Sequence, residues 1–463
     1  MVAIHTTGAL RTTANDILDA HADLLPIDLL IDKHCFQEAL QMASLLSTHP
    51  LYTRIKKAAK HKPKKYPTPL HELFHAFPIN PLSVETIEAV QHSPKWRSKL
   101  QTSIAIKREK VVEEEANNWS DVRIYADGSG IEGNIGAATV LYRNRRFWRS
   151  LKCRLSTVLH HTVHEGELVG VGLGFELLWK ETTCNSVAFF IDNQVAIQRT
   201  NNIKPGLGHY LVDHIHDQAT HILWQHPDLS IVINWVPGHE GVQGNKMADK
   251  LAKEAARNGS SPDNHLLKLF YSWCPLPHSK SALKQTHKAI LKGVASTVFE
   301  SSLRCTVQRH IDPSIPFSKF QSLIQGLPCC HASLLMQLRS GHAPLNKHLH
   351  CIGCIDLPIC QACEEAPETV LHLRIVCPAY ERHWQVLCYS LKHDWLDLCN
   401  LLSKQTSLKP FFKFLASTHR FSETYGNINF LDEDRMRRWN QFILCLLFWS
   451  KVDIFTFINI AGW

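Results

Sequence analysis

The sequence predicts an α/β protein whose centre is a five-stranded mixed sheet with flanking helices, set between helical N- and C-terminal regions. Three observations carry this expectation. From Asp121 the apolar pattern changes from helical spacing to period two and short apolar runs. Three such runs follow one another directly, as antiparallel strands do. Two more then alternate with helical stretches, as in a sheet completed by crossover connections.

In chain order, residues 16–30 and 33–46 have helical apolar spacing. Residues 54–65 hold seven Lys/Arg and no Asp or Glu, and a Pro-rich stretch at 67–81 follows. Such a block suits phosphates, or is simply a solvated linker or a nuclear-import-like patch. Glu113, Glu114 and Glu115 with Asn117 and Asn118 read as a linker. Residues 122–126, 136–142 and 147–155 read as strands, the last two joined by a tight turn at Arg143, Asn144 and Arg145. Residues 162–180 read as a helix opened by a capping box, in which Thr162 and Glu165 satisfy each other's amides. Glycines 166, 170, 172 and 174 weaken it by about 1 kcal/mol each relative to Ala. A helix tolerates that when it packs tightly on a sheet. Strand 187–191, helix 194–201, helix 209–225, strand 229–236 and helix 243–257 complete the pattern. Residues 260–330 are helical, and 340–380 are dense in Cys and His.

A chain of 463 residues has room for two to four domains. Its net charge of +8 hints at polyanions, although residues 121–258 are charge-balanced. Fifteen cysteines would suit a disulfide framework, but residues 1–30 lack a basic segment followed by an apolar run. A reducing intracellular setting, nuclear or cytoplasmic, is expected, with clustered cysteines as metal ligands. Residues 442–463 are apolar but include Lys451, Asp453 and Asn459. They are expected as a packing helix or tail rather than a membrane span.

Four acidic residues are the candidate chemistry: Asp127 before Gly128-Ser129, Glu167 in Glu-Gly-Glu-Leu, Asp192 before Asn193, and Asp249 in Met-Ala-Asp-Lys. Carboxylates delivered to one point suit hard divalent cations, Mg²⁺ above all, which take oxygen ligands. Two such ions about 3.5–4 Å apart clamp the attacking and leaving oxygens of a phosphodiester. Each residue also has a plainer reading. Asp127-Gly128 starts a turn, Glu167 lies on a solvated face, Asp192-Asn193 caps a helix, and Asp249 faces solvent. Glycines after Asp127 would let a nucleic-acid backbone approach. His239, on a Gly/Pro loop, suits proton transfer or is a surface polar residue.

In order and spacing these pieces resemble type 1 ribonuclease H over residues 121–258. The resemblance implies an RNase H-like fold that hydrolyses the RNA strand of RNA–DNA hybrids, leaving 3′-hydroxyl and 5′-phosphate ends. It implies Mg²⁺ (or Mn²⁺) on Asp127, Glu167, Asp192 and Asp249, His239 in proton transfer or product release, and Asn245, Gly128 and Ser129 against the hybrid. Gly166 stands where the family more often has Ala. The short path from Asp192 to residue 209 leaves no room for the extra basic helix of some members, so grip on substrate is expected elsewhere.

Cys360-x2-Cys363-x8-His372-x4-Cys377 has the spacing of one tetrahedral Zn²⁺ site. The plainer reading is buried, unligated cysteines, and Cys351-x2-Cys354 is a competing pair. The element, with residues 344–349 before it, resembles the C-terminal CCHC element of non-LTR retrotransposon polyproteins, which implies single-stranded nucleic acid as a further partner. Residues 9–13, 19–26 and 48–51 resemble the region between reverse transcriptase and ribonuclease H in those proteins, without a polymerase motif. The expected segments are a helical connection region 1–118, the ribonuclease H domain 119–260, a helical linker 261–340, the Cys/His element 341–395 and a tail 396–463. The alternatives to a hybrid nuclease are a catalytically inactive nucleic-acid-binding remnant and a related DNA nuclease.

Overall fold

A computed structural model describes residues 2–87, 97–105, 107–181, 183–201, 206–238, 241–262, 276–317, 319–391 and 397–429. The expected apolar tail and His239 lie outside them. The chain forms two compact units, Met1–Ile31 with Leu291 onward, and Asp32–Ile290. This division falls inside both the 1–118 and the 261–340 segments drawn from the sequence.

The second unit is built on β1 (Gln101–Ser103), β2 (Val122–Ile131), β3 (Asn134–Arg143), β4 (Arg146–Thr157), β5 (Ser186–Ile191) and β6 (Ser230–Trp235). The sheet order is β1-β6-β5-β2-β3-β4. β2, β3 and β4 are antiparallel, while β2, β5, β6 and β1 run parallel. The sheet therefore has six strands rather than five. The extra one, β1, is only three residues long and carries no alternation for a pattern search to find. Asn144 and Arg145 at the β3–β4 turn both have positive φ, 49° and 63°, the two-residue hairpin geometry that matches strand twist.

β2 continues well past Ala126, so Asp127 lies within the strand, not at its end. Asp127-Gly128-Ser129-Gly130 looks like a turn, but β3 pairs with it through Ile131. The parallel pairing to β5 stops at Ala126–Ile191. Asp127 is thus the first β2 residue beyond the parallel neighbour.

Four helices position the site: α1 (Val163–Trp179), α2 (Gln194–Thr200), α3 (His209–Gln225) and α4 (Gln243–Asn258). α1 starts at the expected capping box, with Glu165 N–H donating to Thr162 Oγ1 at 3.3 Å and Thr162 N–H to Glu165 Oε2 at 2.8 Å. Its glycines meet the sheet. A Cβ on Gly128 would collide with the backbone of Gly166 and Glu167, and one on Gly170 would lie 3.1 Å from the Asp127 and Ala138 carbonyl oxygens. On the other face, a Cβ on Gly136 would collide with the backbone of α4. Ile124, Val140, Phe175, Phe189, Ile215 and Ile233 are fully buried between these layers. At about 25 cal/mol per Å² of apolar surface this burial is the main stabilising term.

The helix expected at 16–30 is broken. Asn15–Ala22 ends at Asp23, which has φ 52°, and Ile27–Ala43 restarts beyond Pro26. Proline disfavours α conformation in the residue before it. No described helix is long and apolar enough to cross a membrane.

The first unit packs the helices Cys329–Ser340 and Gln405–Ser417 around Leu334, Leu335, Phe411, Phe412 and Leu415. Arg339 is fully buried and paired with Asp312 at 2.6 Å. Glu368, also fully buried, accepts from Arg420 at 2.6 and 2.7 Å and from the Asn346 N–H at 2.7 Å. These bonds tie residues 344–349 to the Cys/His element.

Candidate active site

Asp127, Glu167 and Asp192 present carboxylate oxygens that lie within 4.8 Å of one another. Asp127 and Glu167 are buried and Asp192 is half-buried. Each comes from a different element: Asp127 from within β2, Glu167 from the second turn of α1, and Asp192 from the residue after β5. The adjacent Asn193 takes the cap of α2, its Oδ1 accepting from Ala196 N–H at 3.1 Å. The capping and carboxylate roles left open for this dipeptide are thus divided between its two residues.

The group is electrostatically frustrated. Burial pushes the Asp127 carboxyl up to about 8, with the charges of Asp192 and Asp249 adding to it. Burial likewise raises Glu167 well above the carboxylate range, reinforced by Asp127 and Asp192. The Gly128 amide and the Asn193 side chain oppose that rise. Glu167 Oε2 is buried without a hydrogen-bond partner. Three acidic groups that cannot all ionise comfortably, with an orphaned acceptor among them, are the donor set a hard divalent cation takes.

Asp249, on α4, reaches the Asp127 side chain at hydrogen-bond distance and raises it, but its carboxylate does not come within 4.8 Å of all three clustered groups. Its Oδ2 accepts from Lys253 at 2.7 Å, one helical turn on. Asn245 is buried and donates from Nδ2 to Asp192 Oδ2 at 3.2 Å, leaving its Oδ1 unpartnered. It therefore positions Asp192. Gly128, expected against the hybrid, instead faces α1: its missing side chain makes room for the Glu167 backbone. The α1 face of β2 is packed, so no ligand backbone can reach Gly128 there. Ser129 is nearly buried and shares the α4-facing side of β2 with Asp127. His239 lies outside the described residues.

Sequence reasoning missed two supports. Trp235 Nε1 donates to the Asp192 carbonyl at 2.9 Å, and Tyr125 OH donates to Glu115, which also pairs with Arg123 at 3.1 Å. Trp235 read only as the strand residue that opens the Gly/Pro loop of His239, and Glu115 only as one of three linker glutamates.

In the first unit, Cys360, Cys363, His372 and Cys377 also present ligand atoms within 4.8 Å of one another. Cys360 Sγ and Cys377 Sγ are 3.9 Å apart, and Cys363 Sγ is 3.3 Å from His372 Nε2. A tetrahedral Zn²⁺ with bonds of about 2.3 Å to sulfur sets sulfur–sulfur edges of about 3.8 Å. The amides of Glu365 and Ala366 hold the Cys363 thiol below its usual value, and burial pushes Cys377 up to about 12. Cys351 and Cys354 are exposed and stand outside this group.

The ribonuclease H family model matches residues 119–257. No curated protein matches the chain. Among solved structures, the N-terminal RNase H domain of a Mycobacterium tuberculosis protein, solved as a fusion with maltose-binding protein, is 21% identical. That match covers 30% of this chain and 94% of that one, with a TM-score of 0.24. RNase H1 from the halophilic archaeon Halobacterium salinarum is 16% identical over 29% of this chain and 96% of its own, with a TM-score of 0.23. The prototype foamy virus protease–reverse transcriptase is 21% identical over 30% of this chain and 21% of its own, with a TM-score of 0.24. The family match spans every strand and helix that supplies the three carboxylates, and residues 119–257 of this chain form a ribonuclease H domain.

Proposed function

We propose that this domain hydrolyses the RNA strand of RNA–DNA hybrids with divalent metal, Mg²⁺ or Mn²⁺, and that the chain derives from a retrotransposon polyprotein. The observation that carries the activity is the convergence of Asp127, Glu167 and Asp192 from three elements onto one point, inside the family-matched residues. When bound there, divalent ions would supply an activated water and charge stabilisation for the scissile phosphodiester. The chain's own residues do the rest. Asp127 and Asp192 carry ligand oxygens on β2 and just past β5, so the sheet fixes their separation. Glu167 brings an unpartnered oxygen from α1. Asn245 and the Trp235 indole hold Asp192 by side chain and backbone. Asp249 and His239 belong to the same proposal, the first as a further ligand released from Lys253, the second in proton transfer. The retrotransposon origin rests on the sequence likeness of residues 9–51 and 344–377.

The Cys/His element fits Zn²⁺, held by Cys360, Cys363, His372 and Cys377. The ion would cross-link residues 360–377.

A catalytically inactive, nucleic-acid-binding protein is the second reading. What favours it is Asp249, whose carboxylate is paired with Lys253 as well as lying beside Asp127. A labelled hybrid with Mg²⁺, Mn²⁺ or neither separates the two. Metal-dependent cutting of the RNA strand, lost in Asp192→Asn, supports the enzyme. A folded protein that binds the hybrid without cutting it supports the second reading, and cutting of duplex DNA in preference to hybrid would point to a DNA nuclease.

A further inference from the structure

Residues 121–258 carry fourteen Lys/Arg and fourteen Asp/Glu, but the balance is not local. Six of those cations, Arg143, Arg145, Arg146, Arg149, Lys152 and Arg154, fall within residues 143–157, which contain no acidic residue. The fold places them on β4 and its turn, at the outer edge of the sheet. Arg143 pairs with Glu181, and Lys152 with Glu254. Arg145, Arg146, Arg149 and Arg154 have no carboxylate partner among the described residues. Lys180, at the end of α1, adds another cation to this edge.

Exposed aromatic rings are interleaved with these charges. Trp119 is 80% exposed, Phe147 53% and Trp148 50%. The Arg145 guanidinium sits 4.1 Å from the Trp119 ring centroid, and Arg149 lies 5.9 Å from that of Trp148. Among the described residues the strand edge itself is half open. At Lys152 and Arg154 it is covered by hydrogen bonds to Ser260 and Ser261. At residues 146–150 no described backbone pairs with it. Beside this open half runs a groove of about 590 Å³ between Phe147, Arg149 and Leu151 on β4 and Leu177 of α1 with Lys180 just past its end.

We propose that this edge is a binding site for single-stranded nucleic acid, separate from the carboxylate group. Phosphates lie on Arg145, Arg146, Arg149 and Lys180, and unpaired bases stack on Trp148 and Trp119. The cations without acidic neighbours select a polyanion. The exposed ring faces select unpaired bases, because the base faces inside a duplex are already covered by neighbours. An acidic peptide would satisfy the charges and leave the rings uncovered. A second copy of β4 would satisfy the open edge but bring the cations together.

The test uses the full chain and a fluorescein-labelled 20-nucleotide oligo(dT), which has no RNA strand to hydrolyse. Binding is followed by anisotropy across salt, and a bromodeoxyuridine version of the probe is photocrosslinked and the adduct mapped by mass spectrometry. The expected adducts are on residues 119 and 147–148. In Arg146→Glu/Arg149→Glu the affinity should fall at least about 10-fold, and two lost phosphate contacts should flatten the log–log salt slope by about 1.4. Lys180→Glu, on a different element, should weaken binding in the same direction, so a folding defect in the strand cannot mimic the result. Adducts confined to residues 54–65 or 360–377, unchanged affinity in both variants, or displacement by poly-glutamate at equal charge would each overturn the proposal. Asp192→Asn should retain oligo(dT) binding, so failure here and failure of the hydrolytic reading are told apart.

Discussion

The acidic group at the sheet's centre makes the metal-free protein sensitive to pH in a stated direction. Burial and the neighbouring carboxylates raise Asp127 to about 8. In the unfolded chain an aspartate titrates near 3.9. Above about pH 5 the unfolded chain has therefore released a proton that the folded chain still holds. Stability from this group is fully present at low pH and is lost as pH rises toward 8, at up to about 1.4 kcal/mol per pH unit. Between pH 6.5 and 8 the loss integrates to about 1.5 kcal/mol, and Glu167, raised for the same reasons, adds to it. For a cooperative unit of this size that lowers the melting temperature by roughly 3–6 °C. In the unfolded chain histidines titrate near 6.5, so each lowered histidine returns about 0.4 kcal/mol over this window and almost nothing above about pH 7.5, where the Asp127 loss stands alone. The assay is differential scanning fluorimetry in metal-free buffers with and without Mg²⁺. Asp127→Asn, neutral in both states, should flatten the slope, and Mg²⁺ should restore stability most at the higher pH, where the ligands ionise. A metal-free midpoint that is flat or rises from pH 7.5 to 8.5, or Asp127→Asn retaining the full slope, would refute the reasoning.

Other perturbations have equally definite outcomes. Below pH 6.5 this fall is opposed: His278, lowered to about 4 by burial and by His160 stacked 4.0 Å away, must charge on unfolding. His278→Phe should therefore steepen the fall of the metal-free midpoint between about pH 4.5 and 6.5. Gly128→Ala puts a methyl group into the Gly166–Glu167 backbone, a strain of about 1–3 kcal/mol. Hybrid cleavage should fall with the melting temperature, because Glu167 moves with the helix. Thr162→Ala removes one side of the capping box and should cost about 1 kcal/mol in chemical denaturation. Protein purified without chelator should carry one zinc per chain by elemental analysis, lost in Cys363→Ser; zinc-free protein with unchanged stability would count against that site.

Much of this architecture was legible because it is locally encoded. The capping box at Thr162 and Glu165, the αL pair at Asn144 and Arg145, and the alternating runs of β2 to β4 each follow from residues near in sequence. The glycines of α1 announced close packing before their partners were known. What stayed hidden depends on distant partners. β1 is a strand only because β6 lies beside it, and Gln101–Ser103 has no apolar period to betray that. Gly128 read as an opening toward a ligand, and only the fold shows α1 filling the space. The pairing of Asp249 with Lys253 was readable as an i,i+4 pair, but not that the same carboxylate also lies beside Asp127. The charge balance of residues 121–258 concealed the basic edge, since its compensating acids lie elsewhere on the surface and at the buried site.

The β1–β6 pairing also bears on where the domain can be cut. A fragment beginning at residue 119, where the family match starts, would lose Gln101–Ser103 and Glu115 together. β6 would become a bare outer strand offering Ser230–Trp235 to any other chain with an unpaired backbone. The Tyr125 hydroxyl and Arg123 would lose their shared carboxylate beside the core. Such a fragment should self-associate, whereas one beginning near residue 97 keeps both the strand and the acid.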